Sequence, residues 1–150
     1  MSLSLPINSF SWVGTLKRWA TELRNLVNTA EAFTPKDWYP EFTCSGTMTF
    51  TFTGSEMMKY VDIGPMVFFV IDVSGTTGGA MDTEVRFSLP VAASHQSGCF
   101  AANTSIDGGA SKGGLALFLN SYTIKVRQYD NALWTAGASR ALRVMGFYFK

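Results

Sequence analysis

Between Trp12 and Phe33 the apolar residues fall at Trp12, Leu16, Trp19, Leu23, Leu26, Ala30 and Phe33, at successive spacings of 4, 3, 4, 3, 4 and 3. That unbroken alternation is the seam of helices that wind around one another, because it keeps one stripe turned toward a partner. The positions between carry Lys17, Arg18, Glu22, Arg24, Asn25 and Asn28, a polar outer face. Ser11 or Thr15 suits the N-cap. Thr34 ends the helix because a residue before proline is pushed out of the α region, and Pro35 follows. A helix over 12–33 is a rod of about 33 Å, and one of that length is marginal in water without cover. Trp12, Trp19 and Phe33 are wide for seam positions, which favours three or more helices over two. The chain's own remainder is another possible cover. So is a membrane surface, since Trp beside Lys and Arg also marks interfacial helices.

After Pro35 the period changes to two. Met48, Phe50 and Phe52 alternate with Thr47, Thr49, Thr51 and Thr53, a half-buried strand with a threonine outer face. Val67–Val73 is apolar on both faces and reads as a central strand. Val85, Phe87 and Leu89 alternate before Pro90, and Leu115, Leu117 and Leu119 form another series. Tyr122, Ile124 and Val126 follow, and Leu142, Val144, Gly146 and Tyr148 close the chain. Turn clusters separate these runs at Gly54–Ser55, Ser74–Gly79, Asp107–Gly114 and Asp130–Asn131. Short strands at such spacing, with no helical pattern between them, predict a mainly β fold, an antiparallel sandwich or jelly roll. The expected organisation is an extended arm over 1–11, a coiled-coil-like helix over 12–34 and a β-domain over 36–150.

Composition narrows the function classes. The 150 residues are 47% hydrophobic and 15% charged, and apolar surface in that excess often finds cover between subunits. A net charge of +1 without any basic run gives no footprint for nucleic acid. No apolar run approaches the ~18 residues of a membrane span. Met66–Val73, the longest, is bounded by Gly64–Pro65 and Ser74–Gly75. Met1–Phe10 lacks the basic and apolar regions of a signal peptide. Cys44 and Cys99 lie too far apart, and are too few, for a disulfide scaffold, so both read as free, small buried hydrophobes.

Residues that could carry chemistry are sparse, and no catalytic residue, cofactor or metal is expected. His95, the only histidine, sits in the serine-rich stretch Ala93–Gly98 with no G-x-S-x-G elbow and no acid nearby in sequence. A metal site needs more clustered ligands than this chain offers. The carboxylates Asp62, Asp72, Asp82, Glu84, Asp107 and Asp130 are scattered, and a glycosidase pair would have to form across a subunit boundary. Gly78–Gly79, Gly108–Gly109 and Gly113–Gly114 lack phosphate-loop spacing and read as turns needing positive φ. Trp38, Tyr39, Tyr60, Tyr129 and Trp134 suit either packing or stacking on sugar rings. The turn holding Tyr129, Asp130, Asn131 and Trp134 combines aromatic rings with hydrogen-bonding side chains, so it is the candidate glycan site.

Two runs in the β-part carry a family resemblance. Trp38-Tyr39-Pro40-Glu41-Phe42 followed by Gly46-Thr47-Met48-Thr49-Phe50 resembles the opening of β-domains in bacteriophage fibre and decoration proteins. Lys59-Tyr60, Ile63-Gly64, Val67-Phe68-Phe69 and Phe87-Ser88-Leu89-Pro90 are similar to their next strands. Ile124-Lys125-Val126, Trp134-Thr135 and Gly146-Phe147-Tyr148 are similar to the closing ones. The resemblance covers about 36–150 and implies a homotrimeric jelly roll turned away from the virion, with the N-terminal part fixed to the particle. It supplies no catalytic residues. The expected function is thus a non-enzymatic virion structural protein, assembled in the bacterial cytoplasm: a short trimeric spike decorating or cementing the capsid. Its partners are copies of itself and other virion proteins, with Leu3, Leu5, Ile7 and Phe10 as anchoring residues in the arm. Shaft repeats and a collagen-like segment, both features of long tail fibres, are missing. The alternatives are a trimeric tail fibre binding host surface carbohydrate, a depolymerase, and a soluble carbohydrate-binding β-sandwich module.

Overall fold

The computed structural model describes residues 17–25 and 33–150, apart from the side chains of residues 55 and 56. The chain divides into two compact units, Met1–Thr34 and Pro35–Lys150. In the first, a helix α1 is described over residues 17–25. Arg18 Nε donates to Glu22 Oε1 at 2.9 Å one turn on, and Thr21 Oγ1 donates back to the Lys17 carbonyl. Phe33, the last seam position, lies in a turn and not in a helix.

The second unit is a single antiparallel sheet. Its strands among the described residues are β1 (Lys36–Asp37), β2 (Phe42–Cys44), β3 (Thr49–Ile63), β4 (Met66–Gly78), β5 (Val85–Ser88), β6 (Gly98–Ser105), β7 (Lys112–Asn120), β8 (Thr123–Gln128) and β9 (Gly137–Phe149). They lie side by side in the order β1-β3-β4-β9-β6-β7-β8-β5-β2. The long hairpin β3–β4 turns at Gly64–Pro65, where Gly64 takes a φ of 55° as the first central residue of a tight hairpin requires. Two irregularities in its ladder, between Phe52 and Gly54 and between Ser55 and Met57, let β3 bend.

The bend brings the ends of the sheet together. Phe42 of β2 stands 5.5 Å, ring to ring, from Phe50 of β3, and Trp38 just after β1 stands 5.9 Å from Phe87 of β5. The sheet is therefore curled around its own inner face, and that face is the core. Val67, Phe69, Ile71 and Val73 point in from β4, Val85 and Phe87 from β5, Ile124 and Val126 from β8, and Leu142, Val144 and Tyr148 from β9. Tyr148 carries its hydroxyl inside by donating to the Val91 carbonyl at 2.6 Å, and burial pushes its pKa upward. Full burial of each large apolar side chain is worth about 1.5–3 kcal/mol.

Period two announces alternation without saying which face turns inward, and two strands depart from expectation on that account. Leu115, Leu117 and Leu119 lie on the exposed side of β7, while Gly114, Ala116 and Phe118 face the interior. The interior has little room there: a Cβ on Gly114 would stand 3.1 Å from the Arg127 carbonyl oxygen and 3.3 Å from the Ala102 methyl. On β4 only one face is buried, and Phe68 lies outside. Gly113–Gly114 belongs to a strand and not to a turn, whereas Gly79 and Gly108 do take positive φ.

Candidate functional site

The carboxylates are committed to separate structural contacts. Asp72 accepts from Arg143 Nε at 3.0 Å, Asp62 pairs with Lys150, and Asp37 pairs with Lys59. Glu84 sits between Arg86 at 3.1 Å and Lys125 at 3.3 Å. Asp107 and Asp130 accept backbone N–H groups two residues on, from Gly109 and Ala132. Asp82 Oδ1 accepts from the Thr83 backbone N–H at 2.6 Å, which holds its carboxyl below the ordinary aspartate range. Among the described residues no three of the His, Cys, Asp and Glu side chains gather as a metal group. His95 Nδ1 lies 3.0 Å from the hydroxyl of its neighbour Ser94 in an exposed loop.

The cysteines differ in setting. Cys44 is half-buried, and burial raises its thiol to a pKa of about 11. Cys99 is exposed on the outer side of β6, so the expectation that both are buried holds for neither in full. The β6 and β9 backbones lie close beside it: a Cβ on Gly146 would stand 2.2 Å from the Cys99 carbonyl oxygen.

The candidate glycan turn keeps its polar half and loses a ring. Asn131 takes a φ of 54°, its N–H donates to the Gln128 carbonyl at 3.0 Å, and Tyr129 beside it is 63% exposed. Trp134 is 0% exposed. Its Nε1 donates to the Thr83 carbonyl at 3.3 Å, and its ring meets Phe50 edge-on at 6.1 Å. Trp134 is a core residue and cannot stack on a sugar. The loop that follows is stitched by buried Arg140, whose guanidinium donates to the carbonyls of Thr135, Ala136 and Ala138. Trp38 is likewise buried, while Tyr39 is exposed.

Of the seam, Trp19 and Leu23 lie in α1 and are 62% and 56% exposed. Trp12, Leu16, Leu26 and Ala30 fall outside the described residues, as do the anchoring positions Leu3, Leu5, Ile7 and Phe10. Among the described residues no helix is long and apolar enough to cross a membrane. This chain matches no protein-family model, no curated protein and no solved structure.

Sequence reasoning passed over the outer face of β3, β4 and β9. Val61, Phe68 and Phe147 stand in register across the three strands, with Cys99 of β6 next in the row. Val70 and Met145 stand together in the row beside it. The apolar run Met66–Ile71 was the signal, because a strand apolar at every position has a second face that also needs cover.

Proposed function

We propose that this chain is a non-enzymatic structural protein of a bacteriophage virion, a short homotrimeric spike that decorates or cements the capsid. The observation that carries the reading is the exposure of Trp19 and Leu23 on a helix whose heptad continues on both sides in sequence. That stripe asks for partner helices, and wide rings favour three of them. The resemblance of Trp38–Phe42 and Gly46–Phe50 to phage β-domains supports the particle assignment, with the curled sheet as a jelly-roll-like head. Residues 1–11 then act as the peg, their alternate apolar side chains docking in a groove of the shell as an extended peptide.

A tail fibre is the second reading, favoured by the exposed ring of Tyr129 beside Asp130 and Asn131. One aromatic contact is weak, so three copies acting together would have to supply the avidity. Quantifying the chain in purified virions separates the two. A copy number comparable with that of the capsid protein is expected, and the few copies of a tail component would assign the chain to the tail.

A further inference from the structure

Strand β6 lies between β9 and β7, yet its ladder to β7 consists of Ala102–Gly114, Asn103–Gly113 and Thr104–Lys112 alone. Continuing that register would set Ala101 opposite Leu115, Phe100 opposite Ala116, Cys99 opposite Leu117 and Gly98 opposite Phe118, and none of those pairs forms. Each strand is held on its far side, β6 by β9 over the whole of Gly98–Ser105 and β7 by β8 from Gly114 onward. Residues 98–101 and 115–118 are thus two open edges inside the sheet, where alternate residues turn main-chain N–H and C=O groups to a side with no strand on it. Together the edges wall a cleft of about 720 Å³. Its floor is the edge-on contact of Phe100 with Phe118, at 5.3 Å between ring centres. These two rings and Ala116 face the core but are only half-buried, whereas the apolar side chains pointing in from β4, β8 and β9 are at most 4% exposed.

The chemistry of the cleft selects its occupant. Lys125 is the charged side chain among the lining residues, and Glu84 already holds it at 3.3 Å, so no free charge is there to recruit an anion. A sugar or a small apolar molecule would leave the ladder groups of both edges unmatched. An extended polypeptide matches them, with alternate side chains reaching the rings of Phe100 and Phe118. Neither open segment carries the proline or charge with which exposed edges are ordinarily guarded. A second copy has little to insert among its described residues, because the strands at the two ends of the sheet, β1 and β2, are 2 and 3 residues long. We propose that the cleft between β6 and β7 binds an extended peptide segment of another protein, taken up as an added strand along residues 98–101 and 115–118. Set between antiparallel strands, that segment runs antiparallel to one edge and parallel to the other. The inference concerns the β-unit alone and does not depend on how many chains assemble.

The test is hydrogen exchange of the full chain, read fragment by fragment by mass spectrometry. The probe is a short synthetic peptide of alternating valine and threonine with a lysine at each end. Without it, residues 98–101 and 115–118 should hold a fast-exchanging fraction of amides, and saturating probe should slow that fraction at least about tenfold. Maleimide should also label Cys99, which lines the cleft, more slowly when the probe is bound. The same peptide methylated on its backbone nitrogens should do neither. A probe without effect at millimolar concentration overturns the proposal, and so does protection confined to β1 or β2. Equal protection by the methylated peptide overturns it as well, because the main-chain groups are then not what is read. Slow exchange of both edges in the free chain overturns it in any of three ways. Protection lost on removing residues 1–11 gives the cleft to the chain's own arm, protection lost on dilution gives it to a second copy, and protection that persists shows that β6 and β7 close on each other.

Discussion

Gly146 occupies a position on β9 that no other residue can fill without moving a neighbouring strand. Its missing Cβ would lie 2.2 Å from the Cys99 carbonyl oxygen and 2.7 Å from the Phe100 ring, and Gly75 makes the same room for Phe50, at 2.5 Å. In both places a glycine leaves room for an aromatic side chain against the sheet. Gly146→Ala is expected to destabilise the β-unit by about 3 kcal/mol or more, toward the upper end for overpacking, seen as a fall in Tm on the order of 10 °C. Asp82 ties acid stability to a single turn. Its pKa is lowered chiefly by the Thr83 N–H, so its contribution is present above the unfolded aspartate value and lost as pH falls through the folded one. Asp82→Asn should therefore lose less stability than wild type between about pH 5 and pH 2, measured by urea denaturation at each pH. A wild-type and variant difference that does not change with pH would contradict this.

At the scale of elements, the strands β5, β8 and β9 were legible because their inward residues, Val85 and Phe87, Ile124 and Val126, Leu142, Val144 and Tyr148, are large and regularly alternate. The direction of β7 was not, since Leu115, Leu117 and Leu119 alternate as cleanly as any core series. What turns them outward is the narrow space around Gly114, which involves Ala102 and Arg127 from other strands. Trp134 was misread for a similar reason: an aromatic ring after an Asp-Asn turn looks like a recognition residue. Its burial depends on Thr83 and Phe50, far away in sequence. For the helix, the described part is residues 17–25, where Trp19 and Leu23 are exposed, and the seam reading is put to the test there. Replacing Leu16 and Leu23 together with Asp puts charges into the seam at several kcal/mol per unpaired site. The variant should sediment as a folded monomer with an unchanged β-sheet circular dichroism spectrum. Retained trimers would show that assembly does not depend on the helix.

The whole molecule joins two elements that each leave apolar surface uncovered, a helix with Trp19 and Leu23 outward and a curled sheet with Phe68 and Met145 outward. Both leave that surface open in the single chain, and the proposed function has copies of the chain cover it. That shared need is the centre of this account, and light scattering of the purified full chain tests it most directly. The account predicts a mass of three chains, about 49 kDa from three times 16.4 kDa, held on dilution into the micromolar range. A particle of 16.4 kDa under the same conditions would contradict it.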